Sequence, residues 1–276
     1  MVKKTLSLTL NRIIQEAKAD LLLGDIYLLL EHAIGRGKEF IYTYPMYSPT
    51  ENELDRWEEC RTRRLKGEPV SYITGWREFY SLDFKVDRFT LIPRQETELL
   101  VDQVLLRRPD SLLDIGTGCG NIAVSVRYHL NRCLVTAVDL SVKAVQMARY
   151  NANRLLGQHD IRFIKSNYFN ELDKVEFDVI VSNPPYIKSS DIDRLPIEIS
   201  SYEPRIALDG GSDGLMTYSK IIGDSQPYLS QAGKLILELD PELLGGVMTI
   251  AEEKNYTVEN VVKDLGLNDR VIVLSP

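Results

Sequence analysis

Three short segments of the chain carry residue types that could do chemistry. Residues 116–120 read Gly-Thr-Gly-Cys-Gly, Asp139 follows about twenty residues later, and residues 183–186 read Asn-Pro-Pro-Tyr. Each segment directly follows an apolar run of the kind that forms a buried strand. Because ligands bind beyond the carboxyl ends of the strands in open α/β sheets, we expect the three segments to meet at one edge of a sheet.

The glycine segment and Asp139 predict a nucleoside-binding site. Glycine lets the backbone turn sharply and lets a ligand approach without a Cβ in the way. A carboxylate at the end of the next strand is the usual partner of ribose hydroxyls. We therefore expect Gly116, Thr117, Gly118, Cys119, Gly120 and Asp139 to bind a cofactor.

The same segment separates two possible cofactors. A nicotinamide dehydrogenase is the alternative, but its glycines follow a G-x-G-x-x-G pattern, and Asn121 stands where the third glycine would be. We expect Asp114 at the mouth of the turn, where an acid would repel a pyrophosphate and attract the cationic amine of a methionine moiety. Adenosine joined to an amino acid without phosphate is S-adenosylmethionine, which we predict as the cofactor.

The Asn-Pro-Pro-Tyr segment predicts a site for a planar amide or amino nitrogen. Two prolines make the loop stiff and leave its carbonyls free as acceptors. The side-chain oxygen of Asn183 and the carbonyl of Pro184 would then orient an NH₂ group and raise its electron density. A sulfonium methyl donor is already activated, so alignment is required and a titrating general base is not. The alternative is an ordinary turn that ends a strand.

These arguments assign roles to the whole segment. We expect Asn183, Pro184 and Tyr186 to be catalytic, Asn183, Pro184, Pro185 and Tyr186 to bind the substrate, and Asn183 to contact the cofactor as well. Tyr186 would offer a flat face to a planar group.

Composition excludes several other classes of function. The net charge of −7 disfavours a nucleic-acid substrate, because counterion release by clustered cations supplies much of the affinity for nucleic acids. Residues 61–66 form one basic cluster, which we interpret as the end of a helix. The alternative is a docking patch for an acidic or RNA-bearing partner. No apolar run is long enough for a membrane span, and the scattered cysteines and histidines predict no metal site. We expect a soluble cytoplasmic monomer.

One motif is misleading. Residues 210–214 match the G-x-S-x-G pattern of a hydrolase nucleophile, but that mechanism needs a histidine after Ser212, and every histidine precedes it. We interpret these residues as a glycine turn before a helix.

The pattern of the chain predicts α/β organisation in three parts. Residues 1–70 should form a helical N-terminal domain that docks the substrate. Helical spacing over residues 11–30 is interrupted at Gly24, and Thr50 and Glu53 predict a capping box. Residues 71–94 should form a β-hairpin linker. Residues 95–276 alternate strands and helices, which indicates a mostly parallel sheet covered on both faces.

From about residue 68 onward the chain resembles the protein-(glutamine-N5) methyltransferases that modify class 1 peptide chain release factors, the HemK or PrmC type. The most diagnostic segment is Ile-Pro-Arg-x-Glu-Thr-Glu, because adenine-N6 methyltransferases share Asn-Pro-Pro-Tyr. The resemblance lies in the glycine segment, the Asn-Pro-Pro-Tyr segment and residues 69–75, 84–86, 91–98, 202–204, 207–211 and 213–215.

The resemblance implies a seven-stranded Rossmann-like methyltransferase sheet behind a small helical N-terminal domain, joined by the hairpin linker. It implies methyl transfer from S-adenosylmethionine to the glutamine of a Gly-Gly-Gln tripeptide in the release factor. Asn167 and Tyr168 would lie near the adenine, and Arg94, Glu96 and Thr97 would lie near the active site. The chain departs from the family pattern at Gln95, Cys119, Asn167 and Asp240.

Three alternatives stay open from the sequence. An adenine-N6 methyltransferase of nucleic acids would share Asn-Pro-Pro-Tyr but should carry a basic groove. Another protein-glutamine methyltransferase would share the chemistry with a different protein substrate. A non-catalytic binding module would keep the fold without binding the cofactor.

Overall fold

The computed structural model describes residues 8–157 and 161–276. These residues divide into two units, one that ends at Gly75 and one that begins at Trp76. The sequence places the end of the helical domain at residue 70 and a separate linker after it. In the structure, the hairpin belongs to the second unit.

The first unit consists of helices that bury one apolar face each. Its core includes Leu10, Ile14, Ile26, Leu30 and Trp57. The helices are α1 (Leu10–Ala17), α2 (Leu23–Ile34), α3 (Lys38–Thr43), α4 (Glu51–Leu65) and α5 (Val70–Thr74).

The expectation that Gly24 divides two helices is wrong. The interruption lies before Leu23, and Gly24 lies in the first turn of α2. The first turn tolerates glycine because its N–H groups have no partner within the helix in any case. The break follows the apolar pattern, since the buried face of α1 ends at Ala17 and that of α2 begins at Ile26.

The capping box expected at Thr50 is confirmed. The Thr50 hydroxyl accepts from the Glu53 N–H at 3.4 Å, and the Glu53 carboxylate accepts from the Thr50 N–H at 2.7 Å. The basic cluster lies on α4, as interpreted, and its arginines form ion pairs within the unit. Arg61 pairs with Asp20, Arg63 with Glu68, and Arg64 with Asp25.

The second unit opens with a two-stranded hairpin, β1 (Trp76–Phe79) and β2 (Leu82–Lys85). The hairpin is shorter than the β-hairpin linker that we expect over residues 71–94. Tyr72 and Ile73 belong to α5 of the first unit, whose N-cap residue is Pro69, and residues 90–92 form no strand.

The described second unit also contains a seven-stranded sheet, in the order β5-β4-β3-β6-β7-β9-β8. The first five of these strands run parallel, and β9 pairs antiparallel with both β7 and β8. The strands are β3 (Ser111–Ile115), β4 (Leu134–Asp139), β5 (Ile161–Lys165), β6 (Phe177–Ser182), β7 (Leu229–Glu238), β8 (Thr257–Lys263) and β9 (Asp269–Ser275). The α/β fold class expected from the sequence is confirmed.

The helices of this unit cover the sheet and connect its strands. They are α6 (Glu98–Arg107), α7 (Asn121–His129), α8 (Val142–Leu156), α9 (Ile197–Ser200), α10 (Met216–Ser225) and α11 (Leu244–Glu253). Helix α11 and the short turns between residues 192 and 207 are not predicted by the sequence pattern. No helix in the two described ranges is both long enough and apolar enough to cross a membrane.

Replacing Thr50 by Ala should destabilise the first unit. The substitution removes the reciprocal cap of α4 and should lower the free energy of unfolding by about 1 kcal/mol. Chemical denaturation of the protein measures this loss. Thr62→Ala, at an exposed position of the same helix, is the control and should change stability little. Equal stability of the Thr50 and Thr62 variants would show that the cap contributes nothing.

Candidate active site

The cleft that carries the candidate site lies at the carboxyl edge of β3, β4 and β6. It holds a cavity of about 140 Å³ that opens to solvent. No lysine or arginine stands among the described residues that line it. The wall consists of residues 89–91, 115, 116, 118, 138–141, 144, 166–168, 182–185, 204, 206, 207, 217 and 221.

Asp139 joins the end of β4 to the glycine turn. One carboxylate oxygen accepts from the Gly118 N–H at 2.9 Å, and the other accepts from the Ser141 N–H at 2.8 Å. Both oxygens keep lone pairs for further donors. Gly116 and Gly118 have positive φ angles of 74° and 58° and both line the cleft. The structure therefore places Asp139, which is predicted to bind the ribose, beside the glycines that are predicted to let a ligand approach the backbone.

The expectation for Asp114 is wrong. Its side chain is fully buried beneath the turn and does not line the cleft. One oxygen accepts from the Thr117 hydroxyl at 2.7 Å and from the Ala123 N–H at 3.3 Å. Burial raises the pKa of Asp114 to about 7. Asp114 therefore holds the turn to the start of α7 from inside the protein.

Three residues predicted to bind the cofactor lie behind the wall of the cleft. Thr117 and Cys119 are buried, and burial raises the pKa of the Cys119 thiol to about 12. A Cβ at Gly120 would stand 3.0 Å from the Cβ of Ala148. Gly120 is therefore needed for close packing of the turn against α8, and its φ of 86° also favours glycine.

Asn151 is a supporting residue that sequence reasoning missed. Its side chain accepts from the Lys85 N–H at 2.8 Å and donates to the carbonyls of Lys85 and Cys119 at 2.9 Å each. It thereby joins the hairpin to the glycine turn. A signal was present in the sequence, because Asn151 falls on the buried face of α8 with Ala144 and Ala148.

Tyr168 occupies an unusual backbone conformation at the far side of the cleft. Its φ is 52°, in the left-handed region that a bulky residue rarely adopts. The Ser166 hydroxyl donates to the Tyr168 carbonyl at 2.8 Å and accepts from the Glu171 N–H at 3.1 Å, which holds the turn. Asn167 and Tyr168 both line the cleft, as the prediction for the adenine side requires.

A smaller cavity adjoins the cleft at the Asn-Pro-Pro-Tyr loop. Its lining residues are Leu91, Arg94, residues 183–187, Ile199, Ala207 and Leu208. Asn183, Pro184 and Pro185 line both the cleft and this cavity, whereas Tyr186 lines only the smaller one. The loop is therefore a wall that the two spaces share.

A glycine-rich strap holds the Asn-Pro-Pro-Tyr loop in place. The Ile187 N–H donates to the Leu208 carbonyl at 2.9 Å, and the Gly210 N–H donates to the Ile187 carbonyl at 2.8 Å. A Cβ at Gly210 would stand 2.7 Å from the Cα of Tyr186, and one at Gly214 would stand 2.6 Å from the Tyr186 carbonyl oxygen. The glycine turn that resembles a hydrolase motif thus supports the loop.

Two further contacts position the same loop. Asn183 donates through Nδ2 to the Thr97 hydroxyl at 3.0 Å. Arg94, on the smaller cavity, donates to both carboxylate oxygens of the buried Glu203 at 2.6 and 2.7 Å. The segment before α6 therefore reaches both the loop and the residues that follow α9.

Comparisons with known proteins identify relatives of this chain in sequence and in fold. The family model for the PrmC N-terminal domain matches residues 9–75, and that for the methyltransferase small domain matches residues 94–197. The release factor glutamine methyltransferase of Rhodopirellula baltica is 39% identical over 258 residues, which cover 90% of this chain and 87% of that protein.

A bifunctional methyltransferase of Rickettsia bellii is 35% identical over 278 residues, and this chain spans 50% of its length. The chain thus covers about half of such longer relatives. A solved methyltransferase from Pyrococcus furiosus superposes with a TM-score of 0.54 at 22% identity, over 71% of this chain and 89% of that chain. That likeness supports the fold.

Replacing Asp139 by Asn should weaken cofactor binding. Asn offers one acceptor oxygen, so one of the two N–H groups now bound by the carboxylate would face an NH₂ group. Calorimetry with S-adenosylmethionine should show an affinity about 10- to 100-fold lower.

Asp178→Asn is the matched control for this loss. Asp178 also accepts from two backbone N–H groups, those of Asp110 and Ser111 at 3.0 Å, but it lies at the opposite edge of the sheet. The control should keep its cofactor affinity. Unchanged affinity in the Asp139 variant would contradict the assignment.

Replacing Gly210 by Ala should destabilise the protein through the contact with Tyr186. The added Cβ requires a shift of backbone, which costs about 1–3 kcal/mol in a packed region. Denaturation measures the change in the free energy of unfolding. Gly245→Ala, where a Cβ would meet nothing within 4 Å, should cost nothing. If both variants are equally stable, the strap does not pack against the loop as described.

Proposed function

Since the chain belongs to the release factor glutamine methyltransferase family, we propose that it methylates the side-chain amide nitrogen (N5) of the glutamine in the Gly-Gly-Gln motif of class 1 peptide chain release factors. The observation that carries this proposal is the wall shared by the two cavities. Methyl transfer needs donor and acceptor to meet at one point, and Asn183, Pro184 and Pro185 border both spaces.

The larger cleft suits the methyl donor. S-adenosylmethionine supplies a methyl group already activated on a sulfonium, so the protein's task is to hold and orient it. Asp139 would accept hydrogen bonds from the ribose hydroxyls. Gly116 and Gly118 have no side chain, so the methionine moiety could approach their backbone closely. Asn167 and Tyr168 would contact the adenine. A wall without lysine or arginine among its described residues suits a ligand that has no phosphate.

The smaller cavity suits a glutamine side chain. An amide nitrogen is a poor nucleophile because its lone pair is delocalised into the carbonyl. The side-chain oxygen of Asn183 and the carbonyl of Pro184 would accept from its two N–H groups, which orients the nitrogen and raises its electron density. Pro185 keeps the loop stiff.

Tyr186 completes this cavity as a neutral group. Burial raises the pKa of Tyr186 to about 12, with Glu238 and Asp240 adding to the shift. A phenol with that pKa keeps its proton at neutral pH, so Tyr186 offers a flat face to the amide and not a base. The proton of the amide leaves to water.

A protein substrate fits the charges better than a nucleic acid does. The net charge is −7, and Arg61, Arg63 and Arg64 of the basic cluster are already paired with acids. We propose that the protein carries out this reaction as a monomer. Translation termination takes place in the cytoplasm, and we place this activity there.

Replacing Asn183 by Ala should abolish most turnover and spare cofactor affinity. The variant loses the acceptor that orients the amide, and misplacement of a reacting group costs at least about 100-fold in rate. Transfer of a labelled methyl group to purified release factor, with the site mapped by mass spectrometry, measures the loss. Asn260→Ala, on the exposed side of β8, is the control.

The same assay separates the competing substrates. Release factor with Glu in place of the Gly-Gly-Gln glutamine should take up no label, and neither should DNA or RNA. Label on nucleic acid with unlabelled release factor would overturn the proposal in favour of adenine-N6 methylation. Full activity of the Asn183 variant would refute the role given to that residue.

A further inference from the structure

Arg94 is the one charged side chain among the described residues that line the smaller cavity, and it does not line the larger cleft. The other side chains of this lining are apolar, apart from those of Asn183 and Tyr186. An arginine keeps its charge under all physiological conditions and offers only hydrogen-bond donors. A fixed donor group beside an apolar wall suits a ligand group that accepts hydrogen bonds.

Glu203 holds one end of this guanidinium. Nη2 of Arg94 donates to both carboxylate oxygens of Glu203, at 2.6 and 2.7 Å. The side chain of Glu203 is 1% exposed, whereas that of Arg94 is 32% exposed. Because the guanidinium is planar, a buried carboxylate bound to one nitrogen restricts the orientation of the whole group. The ion pair therefore orients Arg94 and leaves part of its side chain accessible.

The remaining donors of Arg94 are available to a ligand. Neither Nε nor Nη1 forms a hydrogen bond or an ion pair with any residue of the two described ranges. A guanidinium carries five N–H groups, of which Nη2 holds two, so the three on Nε and Nη1 stay free. They belong to a side chain that borders the smaller cavity. Their partner has to be an acceptor, because none of these groups can accept a hydrogen bond.

The tripeptide of the proposed substrate offers acceptors of one kind beside its glutamine. The reacting nitrogen has to lie at the wall that both spaces share, where Asn183, Pro184 and Pro185 stand. Arg94 borders only the smaller cavity, so its partner belongs to a part of the substrate beyond that nitrogen. The two glycines of Gly-Gly-Gln have no side chains and present only peptide N–H and C=O groups. Of these, only the C=O groups accept.

We propose that Arg94 is a substrate-binding residue that donates to a peptide carbonyl of the Gly-Gly-Gln segment, and that Glu203 positions it for this contact. The proposal rests on the function given above, in which the release factor tripeptide occupies the smaller cavity. A hydrogen bond from a charged donor is stronger than one between neutral groups, which suits a segment that has no side chains to recognise. The contact is the same before and during methyl transfer, so it contributes to substrate affinity and not to the rate of the bound complex.

Replacing Arg94 by Lys tests the contact. Lysine keeps a positive charge for Glu203 but lacks the planar fork that can serve two partners at once. Loss of a hydrogen bond from a charged donor should raise the KM for release factor about 10- to 100-fold and change kcat less than about 3-fold. The Kd of S-adenosylmethionine, measured by calorimetry, should change less than about 2-fold, because the larger cleft lies apart from Arg94. Intact cofactor binding also shows that the variant is folded.

Two further variants separate substrate binding from a structural role of the ion pair. Glu203→Gln keeps every donor of Arg94 and weakens only its anchor, so the KM should rise less than in Arg94→Lys. Arg107→Lys is the matched control, because Arg107 pairs with Glu259 at 2.9 Å and lines neither cavity. Its KM should equal that of the wild type. An unchanged KM in Arg94→Lys, an equal or larger rise in Glu203→Gln, or a loss confined to kcat would each overturn the proposal.

A spectroscopic measurement tests the contact without methyl transfer. In protein labelled with ¹⁵N-arginine, the Nε–H signals of Arg94 and Arg107 are identified by their absence in the two Lys variants. The peptide acetyl-Gly-Gly-Gln-amide, which has carbonyls but no carboxylate, should shift the Arg94 signal and leave the Arg107 signal in place. An Arg94 signal that does not move would overturn this proposal, even if release factor is methylated. A moving signal with unmethylated release factor would overturn only the proposed function.

Discussion

The hydrogen bond from Nδ2 of Asn183 to the Thr97 hydroxyl joins the two segments on which the site depends. One is the loop after β6, a strand that lies between β3 and β7 in the sheet. The other is the segment before α6. Because β6 is central, the loop at its carboxyl end borders both the cleft and the smaller cavity, and its residues line both spaces.

Buried polar side chains hold the loops around this bond. Asp114 fixes the glycine turn from below, Asn151 ties that turn to the hairpin, and Glu203 accepts from Arg94 beside the smaller cavity. Each is costly to bury and forms hydrogen bonds to a loop, although Oδ1 of Asp114 has no partner in the described part of the chain. Such groups restrict loops that apolar packing alone would leave free to vary, and a reaction that depends on alignment gains from that restriction.

Much of this arrangement could be predicted from the sequence. The strands of the parallel sheet follow from apolar runs that alternate with helical spacing, and the capping box of α4 follows from Thr50 and Glu53. The clustering of Gly116, Asp139 and the Asn-Pro-Pro-Tyr segment follows from the rule that parallel strands present their carboxyl ends at one edge. These are local patterns joined by one topological rule.

What could not be predicted depends on the direction in which a side chain points. Asp114 has the charge and position of a ligand, yet it faces the interior, because the first turn of α7 offers an N–H group and Thr117 a hydroxyl. In the sequence, Gly210 and Gly214 suggest a flexible turn. In the structure, a Cβ added to either glycine would collide with the backbone of Tyr186, so the turn packs tightly against the loop. Sequence spacing predicts that residues are neighbours, but hydrogen-bond direction decides which atom faces a ligand. In the proposed reaction, which needs no titrating base, that direction matters most, because acceptor oxygens must meet the protons of the amide nitrogen to orient it.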